Sequence, residues 1–145
     1  MTSIALSRDG RSLLANVSLK SPRLELYELS EMKATLLRRF KGGHEQQMYV
    51  LRCAFGGGPH ESFVLCGSED ATICLWNREK GDEVVAKLTG HAQVVNSVSW
   101  CPTDPLLFAS TSDDMTIRLW GVESVSSCDI TEDSKDLKRI DIIKQ

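Results

Sequence analysis

Thr-Ser-Asp-Asp-Met-Thr-Ile-Arg-Leu-Trp, residues 111–120, repeats in frame the stretch Gly-Ser-Glu-Asp-Ala-Thr-Ile-Cys-Leu-Trp at residues 67–76. The closing residues Trp76 and Trp120 are roughly 44 residues apart, and a Gly-His pair precedes each stretch, Gly43-His44 and Gly90-His91. A period of roughly 40–45 residues, with Gly-His ahead and a terminal Trp, marks one four-stranded propeller blade per repeat. The chain is therefore expected to be all-β and built from blades.

Working outward from these two stretches, three blades can be laid along the chain. The first, residues 1–42, begins with the alternating run Ser3-Ile4-Ala5-Leu6 and turns at Asp9-Gly10, a favoured hairpin pair. A second strand follows over 12–17, and a third runs through Leu24, Leu26 and Tyr27, with Tyr27 where later blades carry Trp. The outer strand is expected over 34–40. The second blade, residues 43–89, reads as strands at 49–55, 63–66, 72–76 and 83–88, with a flexible loop at Gly56-Gly57-Gly58-Pro59. The third, residues 90–121, has strands at 95–100, 107–110 and 116–120, with no outer strand at the expected distance. Residues 122–145 are polar and acidic and are expected to be a disordered tail, in which Ile140, Ile142 and Ile143 could supply a late strand. About three blades fall short of the roughly 4–8 that close a propeller. The chain thus reads as the C-terminal portion of a longer propeller, an incomplete ring whose open blade faces favour self-association.

Composition removes several function classes. A net charge of −3 with no Lys or Arg stripe gives no field for nucleic acid. The five cysteines (Cys53, Cys66, Cys74, Cys101, Cys128) are odd in number and lack a CxxC pair, as expected for reduced thiols inside a cell. A zinc set drawn from Cys66, Cys74 and His91 is the one metal arrangement worth naming, and the repeat already accounts for its cysteines. No metal and no cofactor are expected. Apolar runs stay well short of the roughly 18 residues of a membrane span, and the N-terminus lacks a signal-peptide core. The expected location is the cytoplasm and also the nucleus.

From about Ser3 to Trp120 the chain resembles the WD-repeat family, which implies a partial WD40 β-propeller of about three four-stranded blades. The resemblance also implies a buried hydrogen-bonded relay of His91, Ser110, Asp114 and Trp120 in the third blade. The chemistry suits the assignment: the Asp fixes the histidine tautomer, and the hydroxyl links the other ring nitrogen to the indole N–H. In the second blade His44, Asp70 and Trp76 match, while Cys66 takes the hydroxyl position and should loosen the relay. The first blade lacks it. Ala71 and Met115 stand where many family members place Gly after the turn Asp. If that position has positive φ, each costs on the order of 1 kcal/mol.

Within the family, Tyr49–Gly57 with Phe63 and Gly67–Asp70 resembles the penultimate blade of one subgroup, the WD-repeat subunits of GID/CTLH ubiquitin-ligase complexes. Leu88–His91, Val95–Trp100 and Asp113–Gly121 resemble its last blade. The resemblance implies a non-catalytic, substrate-recruiting or assembly segment whose partners are ubiquitin-ligase subunits. The alternative is a peptide- or histone-binding adaptor unrelated to ubiquitin. For either, the binding face lies at the turns between second and third strands, where Glu69, Gln93 and Asp113 are the candidate residues and the acid pair points to basic peptide segments. The Trp-Asp-x-Arg signature of cullin-4 receptors is not matched by Trp76-Asn77-Arg78-Glu79 or Trp120-Gly121-Val122-Glu123. His91, Ser110 and Asp114 also have the composition of an acyl-transfer triad, but burial between strands and the lack of an oxyanion-hole loop argue against catalysis.

Overall fold

The computed structural model describes residues 2–18, 21–31, 33–121 and 138–144, the last group by its backbone. Twelve strands arise in chain order among these residues: β1 (Ser3–Leu6), β2 (Ser12–Val17), β3 (Arg23–Ser30), β4 (Lys33–Phe40), β5 (Cys53–Gly56), β6 (Phe63–Gly67), β7 (Ile73–Asn77), β8 (Val84–Leu88), β9 (Val95–Trp100), β10 (Phe108–Ser112), β11 (Thr116–Gly121) and β12 (Lys138–Lys144). They form three four-stranded sheets ordered β1-β2-β3-β4, β5-β6-β7-β8 and β12-β11-β10-β9. Every pairing between consecutive strands is antiparallel. Three such sheets stacked in sequence make an open arc of propeller blades.

Strand alternation determines how the blades stack. In β7 the side chains of Cys74 and Trp76 join Leu14, Leu24, Leu26 and Phe40 of the first blade in one core. Ile73 and Leu75, on the opposite face, join Val95, Val98, Phe108 and Trp120 of the third blade. Because both faces of the middle sheet are covered, the first four residues of β7 are all buried. The first blade keeps one face open, where Ile4 and Leu6 are 65% and 61% exposed. On that face Glu25 is buried beneath its own partners, accepting from Arg23 Nε at 2.8 Å, Arg39 Nε at 3.1 Å and the Tyr27 hydroxyl.

The glycines of the supposedly flexible loop have a packing role. A Cβ on Gly56 would lie 2.0 Å from the Trp100 ring, so only hydrogen fits there. Gly43, of the Gly-His pair, meets Trp76 in the same way at 2.1 Å.

Two expectations need correction. The last blade does have an outer strand: β12 pairs antiparallel with β11, Thr116 opposite Lys144 and Gly121 opposite Lys138. It is the late strand that Ile140, Ile142 and Ile143 could supply, set off from the expected outer-strand distance because it is remote in the chain and follows a polar stretch. The part of the expected disordered tail at 122–137 lies outside the described residues. Secondly, β5 begins at Cys53 rather than at 49, because the amides of Gln47, Met48 and Tyr49 are taken by the Glu69 carboxylate and that of Arg52 by the Asn96 carbonyl. Those donors are then unavailable to a sheet ladder.

Candidate functional site

The four polar residues assigned to the third blade's relay converge between β9, β10 and β11. Asp114 opens the β10–β11 turn, and its Oδ1 accepts from the Thr116 amide at 2.9 Å and the Thr116 hydroxyl at 2.6 Å. Its Oδ2 accepts from the Ala92 amide at 3.0 Å and lies 2.8 Å from His91 Nδ1. A carboxylate only accepts, so His91 carries a proton on Nδ1, which in the neutral ring leaves Nε2 as an acceptor. Ser110 Oγ, 2.7 Å from Nε2, donates to it and accepts from Trp120 Nε1 at 2.8 Å. The chain from indole through hydroxyl and imidazole to carboxylate thus has a donor and an acceptor at each link. Burial raises the Asp114 carboxyl, but the Thr116 hydroxyl, the Ala92 amide, the His91 ring and the Thr116 amide together hold it well below the usual carboxylate range.

The second blade wires the same residue types differently. Trp76 Nε1 donates to the Lys41 carbonyl at 3.1 Å and not to Cys66. His44 Nε2 lies 3.2 Å from Asn16 Oδ1, a residue of the first blade that is fully buried. Asn16 Nδ2 donates to the Leu51 carbonyl at 2.9 Å and approaches Cys66 Sγ at 3.6 Å, which sets its amide orientation and makes His44 Nε2 the donor. His44 Nδ1 is then a buried acceptor without a hydrogen-bond partner among the described residues. Desolvation pushes the His44 pKa down to about 4, with Asp70 only partly opposing it. Asp70 turns to its own loop, accepting from the Thr72 amide at 3.1 Å. Asn16 escaped the sequence reading. Its signal was a lone amide in the interior of an otherwise apolar strand, Leu13-Leu14-Ala15-Asn16-Val17.

The three candidate face residues occupy the end of the sheets that bears the β6–β7 and β10–β11 turns, and each is engaged differently. Glu69 Oε1 accepts three successive amides, those of Gln47, Met48 and Tyr49, at 2.7, 2.8 and 2.9 Å. Its charge therefore serves the loop ahead of β5. Asp113 is exposed and accepts from Asn96 Nδ2. Gln93 is exposed, and its carbonyl accepts from Ser112 Oγ at 3.0 Å.

Chemically, His91, Ser110 and Asp114 reproduce the connectivity of an acyl-transfer triad. A nucleophile needs an oxygen open to a carbonyl carbon. Ser110 is 1% exposed and its oxygen already accepts the indole proton. Among the described residues, no group of three His, Cys, Asp or Glu side chains is placed to hold a metal ion. Cys66 and Cys74 face each other across β6 and β7 in the second blade, whereas His91 is committed to the third.

Known proteins place this architecture. The family model "WD domain, G-beta repeat" matches residues 34–77 and 82–121. An Arabidopsis thaliana WD repeat-containing protein 26 homolog is 37% identical over 126 residues, 87% of this chain and 20% of that protein. The GID complex subunit 7 of Schizosaccharomyces pombe is 40% identical over 120 residues, 83% of this chain and 22% of its own. The chain thus spans about a fifth of these relatives' length. The crystal structure of RRP9 WD40 repeats superposes with a TM-score of 0.71 at 12% identity, over 99% of this chain and 38% of that one, a likeness of fold. Paired repeats, blade order and the family match lead to one conclusion: the chain belongs to the WD-repeat family.

Proposed function

We propose that this chain is a non-catalytic interaction scaffold, a propeller segment that recruits substrates or assembles subunits in a GID/CTLH-type ubiquitin ligase. The likeness to a GID complex subunit across most of the chain carries this reading. It is supported by the closed polar relay, whose groups bond one another and leave none of their oxygens for a reaction. In this reading the partners are proteins, the location is the cytoplasm and nucleus, and the propeller works as a platform rather than a reagent. The test is affinity purification of the tagged protein containing this chain. Recovery of RING-type ligase subunits is expected, and their consistent absence would refute the reading.

A second reading, a basic-peptide or histone-tail adaptor, is favoured by the exposed Asp113 carboxylate. Asp113→Lys should then weaken binding of a lysine-rich histone-tail peptide at least tenfold. Unchanged binding removes it.

A further inference from the structure

At the turn-bearing end, residues 45–50 form an irregular stretch held by an unusual density of bonds. Beyond the three amides gathered on Glu69, the Glu45 amide donates to Ser68 Oγ at 2.8 Å and the Glu69 amide to the Glu45 carbonyl at 3.0 Å. Gln46, 2% exposed, donates through Nε2 to the Tyr49 carbonyl at 2.7 Å and to Thr2 Oγ1 at 3.1 Å. Three successive N–H groups around one carboxylate oxygen make an anion nest, here filled from within. These bonds fix the backbone and turn apolar side chains outward: Met48 is 86% exposed, Tyr49 44% and Val50 59%. Leu51, next in the chain, is fully buried. Contiguous exposed apolar residues on an ordered backbone mark interaction sites, because the entropy of ordering the loop is already spent before a partner arrives.

The surrounding charge selects the partner. Glu45, Asp70 and Asp113 are exposed at this end. Of the basic residues near it, Lys87 is drawn to Asp70 at 3.5 Å and Arg23, which opens β3 after the β2–β3 turn, is held by Glu25 at 2.8 Å, while Arg52 is exposed. An acidic surround repels anionic bilayers and attracts cationic chains. Resting on the scaffold reading above, we propose that Met48, Tyr49 and Val50, pinned by Glu69, are the preorganised anchor for an extended peptide segment of a partner protein that carries apolar side chains beside Lys or Arg. Methionine adapts its shape to varied apolar partners, and tyrosine gives area at low entropic cost. Glu69 acts here as a positioning residue.

The test is selection of a phage-displayed random dodecapeptide library on the full chain. Affinities and dissociation rates of the selected peptides are then measured on variants. The expected consensus places an apolar residue within two positions of Lys or Arg. Simultaneous Met48→Ser, Tyr49→Ser and Val50→Ser should weaken binding on the order of a hundredfold, given what burial of apolar side chains contributes. Glu69→Gln should weaken it about threefold to tenfold, through faster dissociation and with faster hydrogen exchange of the 47–49 amides. Leu106→Ser, an exposed apolar residue in the β9–β10 loop, should change nothing. Acidic or purely apolar consensus peptides would overturn the proposal, as would triple-variant affinities within twofold of the parent or triplet-dependent binding to phosphatidylserine vesicles. Peptide binding that survives the triple substitution but fails in Asp113→Lys overturns the anchor and leaves the scaffold reading standing. No enrichment at all counts against both.

Discussion

Replacing Ser110 with alanine removes the oxygen that joins two buried groups. Ser110 Oγ joins Trp120 Nε1 at 2.8 Å to His91 Nε2 at 2.7 Å, and all three residues are buried. A lost partner at a buried donor or acceptor costs about 1–3 kcal/mol, so the indole N–H and the imidazole nitrogen together forfeit about 2–6 kcal/mol. With a urea slope of about 2 kcal/mol per molar, the unfolding midpoint should fall by about 1–3 M. Urea melts of the full chain followed by tryptophan fluorescence measure this directly. Trp120→Phe removes the indole donor together with one of its two fused rings, so its own loss includes a cavity contribution that a double-variant cycle with Ser110→Ala cancels. In the double variant Ser110→Ala/Trp120→Phe, the indole orphan no longer exists. The combined loss should therefore be smaller than the sum of the single losses by about 1 kcal/mol or more. A Ser110→Ala loss within about 0.5 kcal/mol, or strict additivity with Trp120→Phe, would refute the relay as a source of blade stability.

Other outcomes follow from residues at turns, at blade contacts and in the second blade. Ala71 and Met115 sit at φ 66° and 62°, where an L side chain costs about 1–2 kcal/mol, partly offset by glycine's greater freedom when unfolded. Each change to Gly should stabilise the chain by about 0.5–1 kcal/mol in a thermal or urea melt; a loss at both would contradict the backbone assignment. Gly56→Ala should destabilise by about 1–3 kcal/mol, because the new methyl meets the Trp100 ring, and near-neutral melts would show that the ring moves away without penalty. For His44, a base whose pKa falls from 6.5 to about 4 on folding, the folded chain binds fewer protons than the unfolded one. Its contribution is therefore intact above about pH 6.5 and is lost as the pH falls from there towards 4, by about 3 kcal/mol in all. The difference between wild-type and His44→Asn stability, measured from pH 7.5 to 4.5, should shrink accordingly; a constant difference would exclude a buried neutral His44.

The blades were legible because period and motif spacing survive in the sequence whatever the tertiary contacts. Asp70, Ala71 and Trp76 lie within one repeat and Asp114, Met115 and Trp120 within the next, at matching spacing. What escaped the sequence depends on contacts between blades or distant segments. Asn16 meets His44 only because the first and second blades are stacked, and no spacing rule within a repeat points across that boundary. Glu69 reads from the sequence as an acid of the binding face, since nothing in its neighbourhood announces that three amides some twenty residues upstream converge on it. The same capture shortened β5, where Tyr49-Val50-Leu51 has strand composition but not strand donors.

The late arrival of β12 bears on how this protein can be handled. Its partner β11 carries Trp120 and lies between β12 and β10 in the third sheet, so loss of the chain from Lys138 onward would bare a ladder of backbone donors and acceptors along Thr116–Gly121. Such an edge recruits strands from other molecules. Preparations cleaved ahead of Lys138 should therefore form aggregates rather than slightly shorter soluble species.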